Sequence, residues 1–293
     1  PKFRSDEEVG LLSVVSIDNL IYLSYTIQEG VDSRENVYLV VDEYSETLEK
    51  IRTIIRIRVA SFRHVGGTLV TDQSGKLYLS VGEGGLSEYA SQNMGSLLGK
   101  ILRFDVSEAD PEPEIIAYGL RNPWKYSIDL ENRMFIGDCG EVKVESVYLL
   151  RGLYPSIPYN LGWPVFEGTE RRQERSLQFE DTLSPIYEYR HHDNSACVIG
   201  GFFIDELNVY IFGDYVGKVR LLKEKNHRWE EIHMQETRGV LSYGMDINSG
   251  EIYFSGWENI YRVIVLKEEI KKFPLVLLCR TTMPDGAVNY SGC

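Results

Sequence analysis

Thr71 to Ser80 reads TDQSGKLYLS, a polar turn closing on Ser74-Gly75 and then Leu77-Tyr78-Leu79 before a small residue. A turn of that chemistry followed by alternating apolar and aromatic residues is a hairpin leading into a half-buried strand. The same pattern recurs on both sides of it. Ser16 to Ser24 reads SIDNLIYLS, Asp129 to Gly137 reads DLENRMFIG, Asp205 to Gly213 reads DELNVYIFG and Asp246 to Ser255 reads DINSGEIYFS. The central aromatics, Tyr22, Tyr78, Phe135, Tyr210 and Tyr253, stand 43 to 75 residues apart, about the length of one propeller blade.

Most copies have a second strand downstream, at Asn36–Val41, Lys100–Val106, Lys218–Leu222 and Asn259–Val265. Helical periodicity is scarce. A small sheet cannot cover both of its own faces, so such units stack radially. Five units, with irregular sequence between Phe135 and Tyr210, predict an all-β, six-bladed β-propeller. The segment from Gly152 to Asp193 carries Tyr154-Pro155, Ile157-Pro158, Trp163-Pro164 and Ser184-Pro185. Proline withholds a ladder donor, so central strands are not expected there, and long loops of this kind build a pocket on one face.

The 293 residues carry 44 acidic against 31 basic side chains, a formal charge of −13. Such a surface repels phosphate backbones, so no nucleic-acid partner is expected. The longest apolar run, Pro274 to Leu278, is strand-length and far short of a membrane span, and a soluble chain is expected. Of the four cysteines, Cys279 and Cys293 lie in one tail and would bridge if it folds back. Asn289-Tyr290-Ser291 fits the glycosylation acceptor pattern. The chain begins at Pro1 with no initiator methionine and no signal peptide in view, and sequence upstream is expected to have been removed or left out.

His64-Val65-Gly66-Gly67, Gly75-Lys76-Leu77-Tyr78 and Gly82-Glu83-Gly84-Gly85 resemble a blade of the soluble quinoprotein glucose/sorbosone dehydrogenases. The landmarks continue in the family's order through Leu98–Arg103, Ala117–Trp124, Gly137-Asp138-Cys139-Gly140, Leu161–Pro164, Pro185–Tyr189, Gly200-Gly201 and Phe212–Tyr215, from about Gly10 to about Val263. The hedgehog-interacting-protein-like proteins, which bind partners, share the same fold. The resemblance therefore implies two alternatives. One is oxidation of an aldose at its anomeric carbon with hydride transfer to pyrroloquinoline quinone (PQQ). The other is an inactive binding propeller recognising a protein or glycan, or a structural module of a larger assembly. It also implies a secreted or periplasmic setting.

Residue by residue, His64 matches the family's general base, a task that suits an imidazole at ordinary pH. Glu145 matches an acidic position that orients the base. Arg121 and Asn122 match the cofactor-facing pair, where a planar guanidinium suits a carboxylate. Lys218 and Arg220 are further cofactor candidates, with exposed edge-strand charges as their bland reading. Glu8 matches an acidic pocket residue. The carbonyls of Gly140 and Glu141 match ligands for calcium, a hard cation that takes main-chain oxygens and polarises an acceptor carbonyl. His191-His192-Asp193 looks like a metal cluster, but neighbours on an extended chain point to opposite sides. Trp124 and Trp163 read as packing residues that could also stack on a planar ligand.

Two departures stand out. The strand region that usually precedes Gly10-Leu11-Leu12 in the family is nearly absent from this sequence. Glu83 stands where Asp is usual. The expected organisation is a propeller over residues 1–267, its terminal blade truncated or closed atypically, and a tail over 268–293 that would complete a blade.

Overall fold

The computed structural model describes residues 8–30, 36–59, 61–85, 87–172, 181–191, 196–246, 249–257, 259–266 and 275–281. Four antiparallel strands form the first sheet: β1 (Leu11–Ile17), β2 (Leu20–Gln28), β3 (Val37–Ser45) and β4 (Lys50–Arg58). The second contains β5 (Gly66–Thr71), β6 (Leu77–Val81), β7 (Lys100–Phe104) and β8 (Glu114–Tyr118). The third begins with β9 (Pro123–Ile128), β10 (Met134–Asp138) and β11 (Val144–Leu150). Short strands follow: β12 (Tyr159–Asn160), β13 (Phe166–Glu167), β14 (Glu170–Arg171) and β15 (Tyr187–Arg190). The fourth sheet is β16 (Val198–Ile204), β17 (Val209–Asp214), β18 (Lys218–Lys225) and β19 (Arg228–Glu236). The fifth is β20 (Ser242–Met245), β21 (Ile252–Ser255), β22 (Ile260–Leu266) and β23 (Leu275–Thr281).

These five sheets are the blades of a β-propeller. β1 packs beside β5, β5 beside β9, and β9 beside β16, so the first strands of successive blades form the inner ring. Every repeated aromatic falls on a second strand. Tyr22, Tyr78, Phe135 and Tyr210 are at most 1% exposed, so the period seen in the sequence is the spacing of buried second strands. Apolar clusters between blades hold the stack together. Tyr22, Leu39 and Val41 pack with Leu69, Leu77 and Leu79, while Phe135, Val147 and Leu149 pack with Tyr210 and Phe212.

The expectation of six blades is corrected to five. The irregular stretch between Phe135 and Tyr210 makes no blade of its own. β12 pairs in parallel with the outer edge of the second blade, β15 completes the third blade, and β13 and β14 form a small separate hairpin. Its proline pairs interrupt the ladder too often for four strands to form. β23 pairs along β22 and is the outermost strand of the fifth blade. The bridge weighed between Cys279 and Cys293 falls outside the described residues, because Cys293 is not among them. Cys139 and Cys197 are joined by a disulfide, with Cα atoms 5.0 Å apart, tying the third blade to the fourth. No helix among the described residues is long and apolar enough to cross a membrane.

Candidate functional site

Residues just before a first strand and just after a second strand share one end of each blade, and the candidate residues occupy those positions. His64 precedes β5, Glu83 follows β6, Arg121 and Asn122 precede β9, and Cys139 and Gly140 follow β10. His64 sits in the left-handed region at φ 54°, followed by Gly66 and Gly67 at φ 70° and 86°. The tight turn puts the His64 carbonyl against Gly82, where any Cβ would lie 2.0 Å from it. A glycine is therefore required at that crossing.

The His64 ring is held from both sides. Its Nδ1 is 2.5 Å from Glu83 Oε1 and its Nε2 is 3.0 Å from Arg121 Nη2. A guanidinium only donates, so Nε2 accepts and Nδ1 carries the proton toward Glu83. Glu83, whose side chain is 7% exposed, thus fixes the tautomer whose lone pair is on Nε2. Arg121 also donates from Nη1 to the carbonyls of Cys139 at 3.1 Å and Gly140 at 2.6 Å. One side chain therefore brings His64, Arg121 and the Gly140 carbonyl together.

Below this group lies a buried polar layer. Asn122 Nδ2 donates to Glu8 Oε1 at 2.9 Å, and Glu8 Oε2 accepts from the Val65 N–H at 2.5 Å. Burial pushes the Glu8 carboxyl up. Asp138 accepts from the N–H groups of Arg121 and Asn122, yet burial pushes its carboxyl up to about 7. Asn122 Oδ1 accepts from Gly66 N–H at 3.2 Å, so Glu8 and Asn122 brace the turns that carry His64 and Arg121.

Glu145 lies inside the third blade, flanked by β10 and β15 and fully buried. Its Oε1 is 2.5 Å from His191 Nε2, and its Oε2 accepts from Gly140 N–H and Val198 N–H. The hydrogen bond to Glu145 raises the His191 pKa. Among the described residues the carboxylate against His64 is Glu83, and Glu145 acts on the Gly140 turn. Of the His191-His192-Asp193 cluster, only His191 belongs to the described residues.

Lys218 and Arg220 stand on β18, which is paired on both sides, so the edge-strand reading does not hold for them. Arg220 is buried, bonds Glu231 Oε2 at 3.1 Å and lies over the Tyr189 ring. No contact among the described residues joins either one to His64 or Arg121. Trp163 is buried beneath two cations, with Arg172 at 4.0 Å and Arg121 at 5.6 Å from its ring. Trp124 packs with the apolar residues between the fourth and fifth blades.

Glu167 escaped the sequence reading. Its Oε1 accepts from four successive N–H groups, Glu141, Val142, Lys143 and Val144, at 2.8 to 3.3 Å. Burial alone would raise its carboxyl, but these donors hold it below the usual range. The turn after Gly140 is wrapped on that charge. Of the two carbonyls matched to calcium, that of Gly140 converges with the Cys139 carbonyl on the Arg121 guanidinium, so a main-chain oxygen of the kind calcium takes already faces positive charge there. Arg121, with an Nε–H and an Nη2–H beyond the three bonds above, has donor capacity for a carboxylate.

The chain belongs to the glucose / sorbosone dehydrogenase family, whose model matches residues 1–203. It is 30% identical over 197 residues to the HIPL2 protein of Arabidopsis thaliana, covering 53% of this chain and 28% of that protein. It is 27% identical over 178 residues to the aldose sugar dehydrogenase YliI of Escherichia coli (strain K12), covering 53% of this chain and 46% of the relative. The chain thus spans less than half the length of these relatives. Among solved structures, a glucose dehydrogenase superposes with a TM-score of 0.66 at 19% identity, covering 89% of this chain and 81% of the other. The PQQ-bound aldose sugar dehydrogenase of Streptomyces coelicolor gives a TM-score of 0.61 at 19% identity, covering 89% of this chain and 75% of the other. At those identities the likeness speaks to the propeller fold alone.

Proposed function

We propose that this protein oxidises an aldose at its anomeric carbon, with His64 as the general base and PQQ as the hydride acceptor. The observation that carries the reading is the bracketing of one imidazole. Glu83 keeps Nε2 as the acceptor, and the Nη2–H of Arg121 occupies the direction from which a sugar hydroxyl would donate. The hydroxyl would displace that N–H and pass its proton to Nε2 as the C–H bond is cleaved. When bound, PQQ would supply the two-electron acceptor and calcium would polarise its carbonyl. The carbonyls of Gly140 and Glu141 would hold the calcium, and Arg121, with Asn122 bracing it, would meet a cofactor carboxylate. Glu145 and Glu167 keep the Gly140 turn in place, and Glu8 supports the His64 turn. Arg220 would reach the cofactor only after leaving Glu231 and the Tyr189 ring, and Lys218 stands on the same strand as a further candidate. The Cys139–Cys197 disulfide suits the oxidising setting of a secreted or periplasmic protein.

A binding propeller is the second reading, and one observation favours it. Arg121 already bonds His64 and both carbonyls, so the His64 ring and the Gly140 turn are held together without a ligand. Titration of the purified protein with PQQ and calcium, followed by absorbance while aldoses are added, separates the two. Sugar-dependent reduction of bound quinone that falls about 10²–10⁴-fold in His64→Ala supports the enzyme. Failure of the folded protein to bind micromolar PQQ would move the assignment to recognition of a protein or glycan.

A further inference from the structure

We propose that, with its disulfide opened, the chain holds a thiophilic divalent cation such as zinc between Cys139 Sγ, Cys197 Sγ and the Glu145 carboxylate. These three ligand atoms lie within 4.8 Å of one another. Cys139 and Glu145 are buried, and the Cys197 thiol joins them across the boundary between the third and fourth blades. A disulfide alone has no need of a carboxylate within reach of both sulfurs. Once the bond is open, two sulfurs and a carboxylate oxygen within one another's reach are a donor set that a thiophilic divalent cation can bridge.

The carboxylate is already positioned. Glu145 accepts from Gly140 N–H at 3.2 Å and Val198 N–H at 2.7 Å, donors next in sequence to each cysteine, and His191 Nε2 holds its other oxygen. Three protein ligands leave a fourth position for water, the pattern of an open zinc site, and His191 supplies the outer hydrogen bond that tunes such ligands. Thiolates select zinc over calcium, so this site is chemically separate from the Gly140 carbonyl beside it. The electrons balance with a phosphine reductant. The phosphine gives two electrons to the S–S bond and takes the oxygen of a water to become the phosphine oxide, that water's two protons complete the thiols, and the thiols lose their protons to solvent as the metal binds.

Cobalt(II) added to the reduced protein without oxygen tests this. One cobalt per chain is expected, with a thiolate-to-cobalt charge-transfer band that is absent from the disulfide form. Zinc should bleach the band and calcium should not. Cys139→Ser should remove it, and Glu145→Gln should weaken cobalt binding by at least about ten-fold, since even outer-shell partners are worth that much. The proposal is overturned if reduced, folded protein gives no band, or if Glu145→Gln binds cobalt as tightly as the parent. Should Glu145→Gln not fold, X-ray absorption of the zinc-loaded parent decides. Two sulfur and two oxygen or nitrogen scatterers support the site, and four sulfurs, shared between two chains, overturn it.

Discussion

Replacing Gly82 with alanine tests whether the His64 turn is held by backbone contact. A Cβ at Gly82 would lie 2.0 Å from the His64 carbonyl oxygen and 3.0 Å from Asn122 Oδ1. Contacts under 3.0 Å essentially never occur for real Cβ atoms, so the two backbones must part by about 1 Å. Gly82 N–H donates to Val65 O at 3.0 Å, and Gly84 N–H donates to His64 O at 3.0 Å. Parting the strands weakens both bonds, at about 1 kcal/mol each. Overpacking adds about 1–3 kcal/mol, for a total of about 3–5 kcal/mol. A 1 Å shift of a reacting group lowers turnover about 10²-fold, so quinone reduction by sugar should fall that far in any folded variant. The assay is urea unfolding at constant m, read beside the PQQ titration. Gly244→Ala is the control, because a Cβ there meets nothing within 4 Å. Relief of glycine's chain entropy should leave it neutral or more stable by up to about 1 kcal/mol. Gly82→Ala within 1 kcal/mol of the parent, with unchanged turnover, would refute the reasoning.

Asp138 should make stability pH-dependent. Its folded pKa of about 7 lies above the 3.8 of an unperturbed aspartate, so the folded chain keeps a proton that the unfolded chain loses. Stability from this group is complete below about pH 4, falls as pH rises to about 7, and is then level; Asp138→Asn should flatten that slope and leave the protein more stable than the parent at pH 8. An unchanged slope in the variant's unfolding midpoints would show that Asp138 is not the group responsible. Phe135 is fully buried, stacked on Tyr210 at 4.6 Å and Phe203 at 5.3 Å, and meets the edge of Trp229. Phe135→Ala should cost about 3–5 kcal/mol, and a loss below 1 kcal/mol in chemical denaturation would mean that the seam between the third and fourth blades is not a shared core.

Much of the architecture was legible because it rests on local physics. A turn of Asp, Asn, Gly or Ser followed by alternating apolar residues makes a hairpin wherever it occurs. One aromatic on each second strand, fully buried in the first four blades, gave Tyr22, Tyr78, Phe135, Tyr210 and Tyr253 a readable period. The candidate base, the arginine beside Asn122 and the Gly140 turn were legible as well, through glycine-bounded motifs whose order follows the blades. Blade number was not. A 75-residue gap between Phe135 and Tyr210 is long enough for an extra unit, and only the pairing of β12 and β15 shows it to be a loop excursion.

Contacts between blades were decided by the tertiary structure alone. Cys139 and Cys197 are 58 residues apart and read as unrelated until the third and fourth blades lie side by side. Glu83 replaces Glu145 as the carboxylate on His64 because the turn after β6 crosses the turn before β5, whereas Glu145 points into the boundary with the fourth blade. Glu167 carries no local signal, since its role depends on four amides more than twenty residues away that converge on one oxygen. Strands, turns and the residues able to do chemistry follow from local sequence, because hydrogen bonding and side-chain alternation act over a few residues. Which of those residues meet was determined by radial stacking, because a propeller places chemistry where turns of different blades converge, and no local pattern encodes that distance.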